Sequence, residues 1–99
     1  METIYKGEKF SVGVTSDKEL DTSQCNLYNA ATQTRVAFSV TKGSTANGII
    51  TYTFTLDKDK TSAAPVGVYN LECFAPNNGA MLYFQQNYAR FVATSKSPV

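Results

Sequence analysis

The sequence predicts an all-β protein, an antiparallel β-sandwich of about seven strands that forms a single domain. Three observations lead to this prediction. Apolar and polar residues alternate in several short stretches, turn-forming residues separate these stretches, and the 99-residue length is that of one domain. The clearest alternation puts four apolar residues on one strand face: Ile50, Tyr52, Phe54 and Leu56.

The first half of the chain alternates predicted strands with polar connections. Residues 3–15 predict one edge strand in two pieces, with Gly7 at the break, and Leu20 is an apolar plug in the loop that follows. Asn47 and Gly48 are a turn pair that tolerates positive φ. The predicted elements after the first strand are a loop 16–23, a strand 25–28, a turn 29–34, a strand 35–41 and a connection 42–48.

The second half contains the predicted helix and the last strands. The residues from Asp57 to Ala64 are long enough for one helical turn, which Pro65 ends. A strand over 67–75 and a hairpin turn over 76–79 follow. Two further strands are predicted over 80–85 and 88–94, although the continuous apolar run from Met81 to Phe84 does not reveal which side chains face inward.

The charge balance makes nucleic acid an unexpected partner. Nine basic and eight acidic residues leave a net charge of +1, and the basic residues form no tract that would release counterions from phosphates. No apolar stretch approaches the roughly 20 residues of a membrane helix, so no membrane association is predicted. The first six residues lack the apolar region and cleavage site of a secretory signal, which favours folding in a cytoplasm.

The chemistry of the side chains argues against an enzyme. The chain contains no histidine, which is the most versatile acid-base group and the commonest metal ligand. Cys25 and Cys73 lack the spacing of a zinc site and the usual base of a cysteine nucleophile. We therefore expect no catalytic residue, no metal and no cofactor. An inter-sheet disulfide between the two cysteines is geometrically conceivable, but two buried free thiols are favoured for a reducing compartment.

Two loops carry acidic residues, one in the spacing of possible calcium ligands and one in the spacing of possible paired catalytic carboxylates. Asp17, Glu19 and Asp21 alternate in sequence, but the glycine and the terminal acid of a calcium loop are missing, which favours a solvated loop. Asp57 and Asp59 alternate with lysines and predict a self-neutralised connection.

The twelve aromatic residues divide into a core set and a set that fits the inner faces poorly. The predicted core set is Phe10, Phe38, Tyr52, Phe54 and Tyr69. The second set contains either Tyr83 or Phe84 and predicts an amphipathic contact patch of the kind found at protein interfaces. The predicted interface residues are Tyr28, Phe74, Tyr83, Tyr88 and Arg90.

Four segments carry a resemblance to a known family: IYKGEKFSVGVT, GIITYTFTL, DKDKTSAAPVGVYNLECF and YARFVATSKSP. Their order resembles that of a small immunoglobulin-like domain of tailed-phage virion proteins, found in capsid decoration proteins and at the N-termini of upper-baseplate proteins. The most specific part is a Thr, a helical turn and Pro-x-Gly-x-Tyr, matched here by Thr61, Pro65, Gly67 and Tyr69. The chain departs from antibody-type domains because it has no Trp and because Cys73 follows Tyr69 by four positions rather than two.

The resemblance implies an immunoglobulin-like sandwich that serves as a non-enzymatic structural protein of a bacteriophage virion, made in the host cytoplasm. Because the chain ends close to its last predicted strand, a capsid auxiliary (decoration) protein that binds the major capsid protein is favoured over a tail or baseplate subunit. Edge strands over 3–15 and 88–94 are expected to extend a partner's sheet. The alternative from another class is a carbohydrate-binding or adhesive module with aromatic platforms.

Overall fold

The structure, a computed structural model, describes residues 1–93 and consists of two β-sheets and one short helix within that range. The all-β sandwich predicted from the sequence is confirmed. The described residues contain eight strands rather than about seven. These elements are β1 (Glu2–Tyr5), β2 (Phe10–Ser16), β3 (Cys25–Asn29), β4 (Thr34–Ala37), β5 (Ser39–Ala46), β6 (Ile49–Leu56), α1 (Lys58–Ala63), β7 (Gly67–Phe74) and β8 (Met81–Val92).

The five-stranded sheet has the order β1-β8-β7-β3-β4, and the three-stranded sheet has the order β2-β6-β5. Neighbouring strands are antiparallel except β1 and β8, which are parallel. The immunoglobulin-like relationship remains a prediction that this strand order permits.

The two pieces of the first predicted strand belong to different sheets. β1 is an edge of the five-stranded sheet and β2 is an edge of the three-stranded sheet. Both pieces are edge strands, but the prediction that they form one strand of one sheet was wrong. Gly7 makes the crossing with a φ of 84°. The fully buried Thr61 hydroxyl holds this crossing, because it accepts from the Gly7 N–H at 3.0 Å and donates to the Glu8 carbonyl oxygen at 2.9 Å.

The predicted strand over 35–41 also divides between the sheets. β4 ends at Ala37 and β5 begins at Ser39, while the buried Phe38 between them donates its N–H to the Cys25 carbonyl oxygen at 2.9 Å. The predicted connection over 42–48 is too long, because β5 continues to Ala46. Asn47 and Gly48 form the predicted turn, with φ values of 53° and 76°.

The last two predicted strands are one strand of twelve residues, β8. Its pairing with β7 is irregular between Gln85 and Ala89, and Asn87 adopts a φ of 56° there. The Asn87 N–H is satisfied by the Asn70 side-chain oxygen at 3.0 Å, so the strand continues through the irregularity. Thr94, the predicted end of the last strand, lies outside the described residues.

The core lies between the sheets and is rich in aromatic side chains. The Phe38 and Phe54 ring centroids are 5.0 Å apart, and those of Tyr69 and Phe91 are 4.7 Å apart. Leu20 is buried, as its prediction as a loop plug requires, and its N–H donates to the Tyr52 hydroxyl at 2.9 Å. The core-facing residues include Ile4, Leu20, Cys25, Leu27, Phe38, Tyr52, Phe54, Leu56, Tyr69, Leu71, Cys73 and Phe91.

The link between β6 and β7 forms the predicted helical turn. Asp57 caps α1 by accepting the Lys60 N–H at 2.8 Å. After Pro65, the chain turns into β7, and the Tyr69 hydroxyl donates to the Pro65 carbonyl oxygen at 2.6 Å. This contact has the geometry of a tyrosine corner, even though Cys73 lies four positions after Tyr69.

Cys25 and Cys73 are directly opposite each other on neighbouring strands of the same sheet. The inter-sheet arrangement considered from the sequence is therefore wrong, whereas both thiols are buried and free, as favoured. The Cys25 Sγ donates to the Asp21 carbonyl oxygen at 3.3 Å. The contact with Cys73 and then burial raise the pKa of the Cys25 thiol, which keeps it protonated.

Candidate protein-docking face

The outer surface of the five-stranded sheet carries two of the most exposed large apolar side chains among the described residues. Phe84 is 52% exposed and Met81 is 47% exposed, and both lie on β8. The register places Phe84 opposite Glu72 and Met81 opposite Phe74 on β7. Because Leu71 and Cys73 face the core, Glu72 and Phe74 point away from it, and their partners share that outer side.

An ion pair adjoins these apolar side chains. The Arg35 Nε donates to the Glu72 Oε1 at 3.1 Å, although their strands, β4 and β7, are separated by β3. The Arg35 side chain reaches across β3 over Tyr28, with its guanidinium carbon 4.2 Å from the ring centroid. The Tyr28 ring and the Glu72 carboxylate are thus two contacts of the Arg35 guanidinium on the outer side of the sheet.

The Glu72 carboxylate is unusual for an outer-face residue because its side chain is only 7% exposed. A carboxylate so far removed from water needs a charged partner, and Arg35, whose side chain is 57% exposed, supplies it. Apolar and aromatic side chains beside a fixed arginine are the combination enriched at the centres of protein interfaces. We call Tyr28, Arg35, Glu72, Phe74, Met81 and Phe84 the docking face.

Amide side chains border the docking face at one end. A depression of about 300 Å³ lies there, between the β3–β4 turn and the irregular part of β8. Its lining includes the side chains of Asn70, Gln86 and Asn87 together with the exposed Val66. An apolar centre with a polar border is the usual layout of a protein interface.

Three of the five predicted interface residues lie on this side of the sheet. Tyr28 and Phe74 are half-buried members of the docking face, and Arg90 is exposed and lies opposite Val68 on β7. The Tyr28 ring is covered by Arg35, so it contacts the arginine and is not open to a partner. Arg90 lies toward the other end of the sheet and makes no part of the cluster.

Tyr83 and Tyr88 do not belong to the docking face. Tyr83 is opposite the inward-facing Cys73, and both tyrosines are half-buried against the core. The Tyr83 hydroxyl donates to the Asp17 Oδ1 at 2.6 Å and accepts from the Ser16 Oγ at 3.1 Å. Tyr83 therefore connects the end of β2 to β8. The hydrogen bond from Tyr83 lowers the pKa of the Asp17 carboxyl.

Of Tyr83 and Phe84, between which the sequence left the choice open, Phe84 is the exposed one, and Met81 is the apolar residue of the face that the sequence did not predict. Cys73 is opposite Tyr83, but Phe74 is opposite Met81, so Leu82 is an extra residue in β8. This one-residue shift places Met81 on the outer side of the sheet together with Phe84. The continuous apolar run concealed this shift, because a period-two pattern cannot be read through it. The turn at Gly79 was the signal in the sequence for where β7 and β8 meet.

The acidic loop residues contact separate groups. Asp17 binds Tyr83, Asp21 accepts from Ser23, and Glu19 pairs with Lys42 at 2.6 Å. Within residues 1–93, no group of three or more His, Cys, Asp or Glu side chains is arranged to hold a metal ion.

Comparison with protein-family models, with curated proteins and with solved structures finds no match to this chain. No helix in the described part of the chain is long and apolar enough to cross a membrane.

Proposed function

We propose that this chain is a non-enzymatic structural protein of a bacteriophage virion, a capsid auxiliary (decoration) protein that binds the major capsid protein through its docking face. The virion assignment depends on the sequence resemblance described above. The observation that carries a binding role is the exposure of Phe84 and Met81 beside the Arg35–Glu72 ion pair.

Burial of the two apolar side chains would supply the binding energy. A large apolar side chain that passes from water into a packed interface contributes about 1.5–3 kcal/mol. Phe84 and Met81 are about half exposed in the free protein, so burying the rest of each side chain against a partner would contribute roughly half of that free energy. Arg35 is exposed above Tyr28 and offers its remaining N–H groups to a carboxylate or carbonyl oxygen of the partner.

The existing packing prepares the face for binding. The contacts that Arg35 makes with Tyr28 and Glu72 hold its long side chain in one position before a partner arrives. Binding then loses less side-chain entropy than it would with a free arginine. The face lies on a sheet rather than on loops, which gives the apolar groups a fixed spacing.

The first test adds the purified protein to phage capsids that lack it and measures the bound fraction after sedimentation. Phe84→Asp should reduce binding at least tenfold, because it places a charge at the centre of the apolar cluster. Ile49→Asp is the matched control, because Ile49 is 42% exposed and lies on the other sheet. It should leave binding unchanged.

Three outcomes would overturn the proposal. Purified virions that contain no copies of the chain would exclude the virion role. Density for the chain at the tail or baseplate of intact particles would show instead that the protein is a tail or baseplate structural or adaptor subunit. Binding to a glycan array that Phe84→Asp abolishes would favour the carbohydrate-binding or adhesive module instead.

A further inference from the structure

β2 is the least protected of the sheet edges that the described residues form. It is seven residues long, carries no charged side chain from Phe10 to Ser16, and pairs with β6 without interruption. Proteins normally protect edge strands with short length, charge or bulges. The other edges show such protection: β1 and β4 have four residues each with Glu2 and Arg35, and β5 carries Lys42 and an irregular pairing. The part of β8 that β1 does not cover is interrupted by two register shifts against β7.

We infer that β2 pairs antiparallel with β2 of a second copy, which joins two three-stranded sheets into one six-stranded sheet across a twofold axis. Two identical strands in antiparallel contact form a self-complementary interface, the kind found in most homodimers. The outer edge of this seven-residue strand offers the N–H and C=O groups of alternate residues, which do not face β6, to the second copy.

The register follows from the strand itself. Full overlap of two seven-residue strands places the middle residue, Gly13, opposite its own copy. Val12 then lies opposite Val14 of the second copy, and Ser11 lies opposite Thr15 of the second copy. Both valines are half-buried and pack against the core, so pairing would bury more of their apolar surface. The side chains from Ser11 to Thr15 bring no like charges together.

Gly13 also suits the twofold axis sterically. It is exposed, and no atom lies within 4 Å of the position that a Cβ would take. A side chain can therefore be introduced there without disturbing the monomer. The docking face is on the other sheet, and the pairing uses none of its residues, so neither proposal depends on the other.

Cross-linking tests the register directly. Gly13→Cys should form a disulfide-linked dimer when two thiols release two protons and two copper(II)–phenanthroline complexes each accept one electron to become copper(I). Directly opposed Cβ atoms are within reach of a disulfide. The native cysteines are 1% exposed and should not interfere. Thr41→Cys is the matched control, because Gly13 and Thr41 flank the same residue, Thr53, on opposite edges of the sheet.

We expect at least tenfold more cross-linked dimer from Gly13→Cys than from Thr41→Cys at equal concentration. Equal yields, or a higher yield from Thr41→Cys, would overturn the inference. So would failure of Gly13→Cys to cross-link at concentrations at which sedimentation equilibrium detects a dimer of the unmodified chain.

A charge exchange gives a second, independent test. Gly13→Lys and Gly13→Glu should each sediment at the 10.8 kDa of one chain, because like charges would face each other across the axis. An equimolar mixture of the two should restore the dimer. Thr41→Lys should dimerise like the unmodified chain, and circular dichroism of each variant checks that it is folded. A monomeric unmodified chain at all concentrations, or dimers of both separate Gly13 variants, would contradict the proposed pairing.

Discussion

The Tyr69 hydroxyl donates a 2.6 Å hydrogen bond to the Pro65 carbonyl oxygen, which attaches the end of the helical link to the start of β7. Tyr69 is fully buried, and its ring packs on Phe91 of the neighbouring strand. One side chain thus joins the connection between the sheets to the core.

Removal of this hydroxyl should weaken the fold without removing the ring. Tyr69→Phe is expected to lower the free energy of unfolding by about 1–3 kcal/mol, because the Pro65 carbonyl loses its partner in a partly buried place. Urea unfolding measures the difference. Tyr28→Phe keeps its ring under Arg35 and should change the free energy of unfolding by less than about 0.5 kcal/mol. Equal effects of the two substitutions would contradict the assigned role.

The buried Tyr69 and the half-buried Tyr88 should make the protein less stable in alkali. Burial raises the pKa of Tyr69, with a smaller opposing effect from Asn29, and burial also raises the pKa of Tyr88. In the unfolded chain both phenols lose their protons near pH 10, while in the folded chain they still hold them. The folded state then binds more protons, so its stability falls as the pH rises above about 10.

Unfolding free energies measured from pH 8 to pH 11 check this expectation. The decrease above pH 10 should be smaller in a Tyr69→Phe and Tyr88→Phe double variant, which has no phenol at either position. A decrease of the same size in the double variant would assign the effect to other groups.

The two ion pairs should differ in their contributions. Arg35→Ala should lower the free energy of unfolding by about 1–3 kcal/mol, because it leaves the buried Glu72 carboxylate without its charged partner. Lys42→Ala removes the partner of the exposed Glu19 and should have the smaller effect, because solvent screens an exposed pair. Thermal or urea unfolding of both variants tests the ranking, which would be refuted by a larger effect at Lys42.

The cysteines should resist labelling in the folded protein. Cys25 and Cys73 are each 1% exposed, so a reagent in solution has little access to either sulfur atom. A chromogenic disulfide reagent should react with both thiols rapidly in denaturant and at least tenfold more slowly under native conditions. The absence of labelling in denaturant would show that the two residues are joined, since they are directly opposed.

The sequence anticipated the elements whose pattern is local. The alternation from Ile50 to Leu56, the turn at Asn47 and Gly48, the helical turn before Pro65 and the buried Leu20 were all predicted correctly. Each of these depends on a short-range cause: the two-residue period of a strand, the freedom of φ in a turn pair, or the missing N–H of proline.

The docking face was predicted only in part. Tyr28 and Phe74 were identified because they fall on the polar side of their strands. Tyr83 was assigned to the surface and Met81 was missed, because their sides depend on a one-residue shift opposite β7. Neither Arg35 nor Glu72 was predicted at the face, because their contact joins residues 37 positions apart in the chain.

By itself, the sequence determined that the chain forms strands on a shared apolar core and where most of those strands begin. Tertiary structure decided which sheet each strand joins, that residues 35–41 divide between both sheets, and which aromatic side chains remain exposed. The physical reason is that alternation reports only that a strand has one buried side. Contacts between residues far apart in the chain decide which strand packs against that buried side and in which register. Such contacts also fix the crossings between the sheets at Gly7 and Phe38.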